Sequence, residues 1–180
     1  MCFIGAYKGY TKKGSPPPCV VNKVSRPIPE QPYHMSIFVL APVFGLIQFA
    51  SMYAEFSYLL DSIFRDNWYA MFGFLLLNLL MQVVIIGLIS IIATYMQLSQ
   101  QNYHWWWRSF LIGASGGIYI GLYCLWYMVT QLDLMSLSSD LSFIFYAVLF
   151  IGCYSTAAGA ISVQASYSFT KSIYSDIRSD

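Results

Sequence analysis

The sequence predicts an all-α membrane protein, a bundle of four transmembrane helices with both termini in the cytosol. Three observations predict it. Only 9% of the 180 residues are charged and 58% are hydrophobic, whereas a soluble domain carries roughly a quarter charged residues. Apolar surface on that scale cannot all be hidden inside a water-soluble fold of this length. Four stretches reach the roughly 20 mainly apolar residues that a helix needs to cross the hydrocarbon core. The basic residues, finally, collect on one set of connections.

Taken in order, residues 1–35 form a basic, proline-rich linker. Its first seven residues are apolar but too few to span, and no basic segment precedes them as a signal peptide would require. From Lys8 onward the linker holds Lys8, Lys12, Lys13, Lys23 and Arg26 and six prolines between Pro16 and Pro32. Proline removes backbone donors and favours extended geometry, which predicts a solvated linker of polyproline character. The spans follow at about 36–60, 68–96, 109–130 and 141–163. The second is long enough to tilt or to project beyond the lipid. None shows the ten-residue alternation of an outer-membrane barrel strand, and a helix satisfies its own backbone in lipid. Short loops join the spans, and a polar tail occupies 164–180.

Orientation follows from charge. With both termini cytosolic, that side holds Lys8, Lys12, Lys13, Lys23, Arg26, Arg108, Lys171 and Arg178, and the opposite side only Arg65. This is the positive-inside pattern, and it requires an even number of spans. Tyr103, His104, Trp105, Trp106, Trp107 and Arg108 make an interfacial cluster at the entry to the third span, where amphipathic rings favour the headgroup region. Cys2, Cys19, Cys124 and Cys153 fall in cytosolic or lipid-depth positions on this topology, so no structural disulfide is expected.

Gly113, Gly117 and Gly121 recur every four residues along one face of the third span. They remove side-chain bulk and allow another helix to approach closely. Gly152, Thr156 and Ala160 form a similar stripe on the fourth. The two stripes are expected to touch each other or a partner's helix. Glu55 is the one acidic residue inside a span. An acid at that depth costs about 2.5–3.5 kcal/mol on insertion scales, which makes it a functional candidate; the alternative is a packing role through Asn78 or Gln82. Gln48, Asn78 and Gln82 read as interhelical glue.

No catalytic, cofactor-binding or metal site is visible. His34 and His104 lack ligands at metal-binding spacing. There is no phosphate-binding glycine loop and no nucleophile elbow, so an enzyme is not expected. The linker's basic residues are tethered to membrane and suit an anionic leaflet or a protein contact better than nucleic acid.

Three segments resemble a known family. They are Ile28-Pro29-Glu30-Gln31-Pro32-Tyr33, Tyr103-His104-Trp105-Trp106-Trp107-Arg108-Ser109-Phe110 and Lys171-Ser172-Ile173-Tyr174, supported by Met71-Phe72-Gly73-Phe74 and Gly5-Ala6-Tyr7-Lys8-Gly9-Tyr10. In this order and spacing they resemble the C-terminal portion of the nonaspanins, the transmembrane nine superfamily of endomembrane protein 70 type. The resemblance covers the last four spans and the linker before them. It implies an integral protein of Golgi and endosomal membranes that acts in trafficking and sorting of membrane proteins. Cargo would be recognised helix to helix, and a C-terminal tail would be read by coatomer. The matching tail residues are Arg178, Ser179 and Asp180, with arginine where the family usually has lysine. Glu55 matches one intramembrane acid of the family, whereas a second would fall near Leu88. Two other readings stay open. One is a transporter or ion-conducting subunit that titrates Glu55. The other is an inactive fragment of a longer nonaspanin, or one that pairs with a missing N-terminal half.

Overall fold

The computed structural model describes residues 7, 9–11, 24, 27–64, 68–130 and 137–176. A single 3-10 turn, Tyr33–Met35, leads into helices α1 (Ile37–Phe64), α2 (Trp68–Ser99), α3 (Trp105–Ala114), α4 (Gly116–Thr130) and α5 (Leu137–Asp176). No strand occurs among the described residues. Among the described residues four helical stretches are long and apolar enough to span a membrane, because α3 and α4 are consecutive pieces of one, interrupted at Ser115.

Each helix forms where long apolar runs lack internal stops. α1 contains Pro42, whose missing N–H leaves one carbonyl of the preceding turn unpaired. α2 ends where Gln101 adopts a left-handed φ of 58°. There the Asn102 N–H reaches Gln97 O (3.3 Å) and the Gln101 N–H reaches Leu98 O (2.9 Å). This is a Schellman closure with glutamine at the position that glycine usually fills.

Consecutive spans run antiparallel, so the first and third are parallel. Leu40 and Phe44 of α1 cluster with Ile89 and Ala93 of α2 and Ile112 of α3. Met52, Phe56 and Leu60 cluster with Ile120, Cys124 and Tyr127 of α4. Arg108 donates to Met35 O and Thr94 donates to Ser166, so the start of α1 and the end of α5 share one end of the bundle, hereafter the Arg108 end. The opposite end carries Asp61, whose carboxylate accepts from the Tyr127 hydroxyl at 3.1 Å. At the Arg108 end the last part of the linker lies against the α2–α3 loop, with Gln31 Nε2 donating to Gln100 O at 3.2 Å.

Several boundaries differ from those read in the sequence. The third span begins at Trp105, not at residue 109, because the Trp-Trp-Trp-Arg segment is itself helical. α1 continues to Phe64, since nothing after Leu60 breaks the helix. The segment taken as a polar tail from residue 164 is helical as far as Asp176. After Gly159 neither glycine nor proline stops α5, and the buried Ser162 and Ser166 hold it against α2 and α3. Most of the linker lies outside the described residues, and the described part from 27 to 32 has no regular structure.

Little of the spans is buried within the chain, least of all in the fourth. Leucines, valines and tyrosines of α2 and α5 point outward, as expected where lipid tails are as apolar as the residues themselves.

Candidate functional site

The bundle is apolar outside, and among its apolar core clusters it buries several polar layers. From the Arg108 end inward, the first layer is aromatic. The Tyr103 and His104 rings stand 4.4 Å apart, and His104 meets Trp106 edge-on at 5.3 Å. Trp105 packs on Trp106, while Trp107 is exposed and meets Phe110. Arg108 turns inward from this cluster onto the Met35 carbonyl, and its Nε is buried without a partner.

One turn deeper lies a cluster of hydroxyls that the sequence reading did not single out. Ser90 and Thr94 come from α2, Ser109 from α3, and Ser162 and Ser166 from α5; all five are buried. Ser90 Oγ lies 2.5 Å from Ser166 Oγ and 3.0 Å from Ser109 Oγ. Thr94 donates to Ser166 (2.7 Å), and Ser162 donates to Ser109 O (2.6 Å). Ser90 also donates to Ser162 O (2.6 Å). A hydroxyl both donates and accepts, so five of them satisfy one another without charge. The signal was present in the sequence as two hydroxyl pairs at a spacing of four, Ser90/Thr94 and Ser162/Ser166, each on one helix face.

An amide layer follows. Gln48, fully buried on α1, donates to Ile112 O at 3.1 Å. Ser115 Oγ donates to the same carbonyl at 2.7 Å, beside the break between α3 and α4. α1 crosses closely here: a β-carbon on Gly45 would stand 2.7 Å from Ser115 Oγ and 3.0 Å from its backbone. Gln82 of α2 donates to Gln48 O (3.2 Å) and to the Tyr154 hydroxyl of α5 (2.9 Å), and Ser51 Oγ donates to Gln82 Oε1 (3.1 Å). Gln48 and Gln82 thus tie all four spans together. Gln48 Oε1 has no partner.

Glu55 lies two turns from Gln48 on the same helix face. The antiparallel register that sets Ser51 beside Gln82 brings Glu55 level with Asn78. Its Oε2 is buried and unpartnered; Gln82 is engaged elsewhere and no bond from Asn78 reaches it.

The glycine stripe of the third span packs against α5. A β-carbon on Gly113 would collide with Ser162 and stand 2.8 Å from Ala158 O; one on Gly117 would collide with Ser155. At Gly121 it would meet Ile151 at 3.3 Å. The stripe on α5 is a different face. Gly152 has nothing within 4 Å, and Thr156 and Ala160 are exposed. The two stripes therefore do not meet. The packed residues of α5 are Ile151, Ser155, Ala158 and Ser162, about 130° round the helix from the stripe. Arg178 and Asp180 lie outside the described residues, as do Cys2 and Cys19. Among the described residues no group of His, Cys, Asp and Glu can hold a metal ion.

These features define a polytopic α-helical membrane protein with polar layers buried among its apolar core. The family model for endomembrane protein 70 matches residues 1–137. The chain is 32% identical over all of its 180 residues to human transmembrane 9 superfamily member 4. It is 31% identical to member 10 of Arabidopsis thaliana and 29% to member 2 of mouse, again over its whole length. The chain belongs to the transmembrane 9 superfamily, the endomembrane protein 70 family. It spans 28% of the length of the human and Arabidopsis relatives and 27% of the mouse one. No solved structure matches it.

Proposed function

We propose that this chain acts in the trafficking and sorting of membrane proteins in Golgi and endosomal membranes. Membership of the transmembrane 9 superfamily across the full chain is the observation that carries the reading. Cargo is recognised helix to helix. The exposed face of α5 at Gly152, Thr156 and Ala160 suits this, because small side chains let a second backbone approach without displacing anything already packed. Both ends of the chain face the cytosol, a reading supported by the basic side chains gathered on the linker, Arg108, Lys171 and Arg178. The tail, ending Arg178-Ser179-Asp180, is read by coatomer. An N-terminal half like that of the longer relatives is a further partner.

Imaging a tagged chain tests the reading. The expected location is the Golgi or endosomes, and Arg178→Ala with Asp180→Ala is expected to move the chain outward. A plasma-membrane or mitochondrial location of the unaltered chain refutes the proposal, and an unmoved double variant removes the tail signal.

A further inference from the structure

The third span is broken well inside its length, at Gly113-Ala114-Ser115-Gly116-Gly117. There the Ser115 N–H reaches Ile112 O at 3.4 Å and the Ile118 N–H reaches Ser115 O at 3.1 Å. These are closures of the 3-10 kind, which mark hinges when they fall within a helix. In an unbroken helix Ile112 O would take the N–H of Gly116. Here its two lone pairs are met by side chains, Ser115 Oγ at 2.7 Å and Gln48 Nε2 at 3.1 Å. The other end of the Gln48 amide faces Gly116, with Oε1 2.7 Å from where a β-carbon would stand. One amide from α1 is thus inserted between the two residues whose backbone bond would close the helix. Its Oε1 is buried without a partner. An unpaired acceptor offsets the bond that Nε2 gains, so the broken and closed forms lie close in free energy.

The two halves of the span are held by different means. α3 is fixed by directed hydrogen bonds, since Ser109 joins Ser90, Ser162 and Ser166. α4 leans on α1 through rings. Tyr123 stands 5.4 Å from Tyr53, 5.7 Å from Phe56 and 5.9 Å from Phe49, contacts with a broader tolerance than hydrogen bonds. Toward α5, α4 is tight near the break, at Gly117 and Gly121. Farther along, an apolar groove of about 270 Å³ lies between Leu122 and Leu125 on one side and Ile144, Ala147 and Val148 on the other. We propose that α4 is a hinged half-helix that pivots about Ser115, and that Gln48 is the latch.

With the latch engaged, the span stays broken. When the Gln48 amide withdraws, Ile112 O takes the Gly116 N–H, the backbone ladder closes and α4 realigns with α3. Free volume lies on the α5 side, so α4 moves that way, narrowing the groove and drawing Tyr127 off Asp61. α4 has 15 residues and is about 22 Å long, so a tilt of about 10° carries its far end through about 4 Å. Two glycines admit the latch. A β-carbon on Gly45 would press on Ser115, and one on Gly116 would displace Gln48 Oε1. The hinge involves neither the tail nor the exposed face of α5 and goes beyond the trafficking reading.

Double electron–electron resonance on the full chain in nanodiscs tests this. The native cysteines are first removed, Cys124 as alanine and the others as serine. Spin labels at Val129→Cys on α4 and Tyr146→Cys on α5, both exposed, report the far end of the half-helix. Labels at Leu111→Cys on α3 and Tyr167→Cys on α5 form the control pair and show that the rest of the bundle is intact. With Gln48 and Gly116 in place, the first pair is expected to give a main distance with a minor component about 4 Å shorter. Gln48→Leu removes the latch and Gly116→Ala displaces it. Each is expected to move most of the population to the shorter distance and to leave the control pair where it was. A first-pair distribution that neither variant moves overturns the proposal, and so does an equal shift at the control pair.

Discussion

Replacing Ser166 with alanine isolates the energy stored in the hydroxyl cluster. Its Oγ lies 2.7 Å from Thr94 and 2.5 Å from both Ser90 and Ser109, so one atom links α5 to α2 and to α3. Interhelical hydrogen bonds in membranes average about 0.6 kcal/mol each, giving roughly 2 kcal/mol for three. Thr94 also loses its acceptor, and a stranded buried hydroxyl costs about 1 kcal/mol more. The expected destabilisation is about 2–3 kcal/mol, or roughly 30- to 150-fold in the unfolding equilibrium. Cys124 supplies the readout, because its thiol is buried and reacts with a maleimide only once the bundle opens. With Cys2, Cys19 and Cys153 changed to serine, pulsed labelling across a titration of dodecyl sulfate in mixed micelles gives the unfolding midpoint. Ser168, on the exposed side of the same helix, is the control, and Ser168→Ala is expected to change stability by less than about 0.5 kcal/mol. A Ser166→Ala loss no larger than that control refutes the reasoning.

Gly117→Val is expected to destabilise the bundle by about 1–3 kcal/mol in the same assay, because the new side chain runs into Ser155; an unchanged midpoint would mean that α4 and α5 do not pack as described. Gly152→Leu is expected to leave the midpoint within about 0.5 kcal/mol, since nothing lies within 4 Å of that position. On the helix-to-helix reading, the same variant is expected to lose co-purification with membrane-protein cargo. Retained capture would show that cargo uses another face. Gln101→Gly is expected to stabilise the α2 terminus by up to about 1 kcal/mol, measured by the same titration, because glycine enters the left-handed conformation without steric penalty.

Some of these residues announce themselves in the sequence and others do not. Gly113 and Gly117 are legible because glycine at a spacing of four has few other uses in a lipid-depth helix. The face of α5 that they pack on is not. A soluble helix declares its buried side by amphipathic contrast, but here lipid and neighbouring helix are equally apolar. Gly152, Thr156 and Ala160 thus look as suitable as Ile151, Ser155, Ala158 and Ser162. Glu55 stands out because charge is rare at that depth. Ser90, Ser109 and Ser162 are individually unremarkable, and their cluster exists only when three helices bring them to one level.

The sequence by itself determined the number of spans and the family, because span length and the Tyr-His-Trp-Trp-Trp-Arg-Ser-Phe string are local properties of the chain. Tertiary structure alone decided which side chains face inward. It joined hydroxyls from three spans into one cluster, left Gln48 and Glu55 with unpaired oxygens, carried α5 through Asp176 and turned the α5 stripe outward. The physical reason is that a bilayer rewards burial of any apolar helix face alike, so only contact geometry between helices, set by small side chains and hydrogen bonds, selects among them.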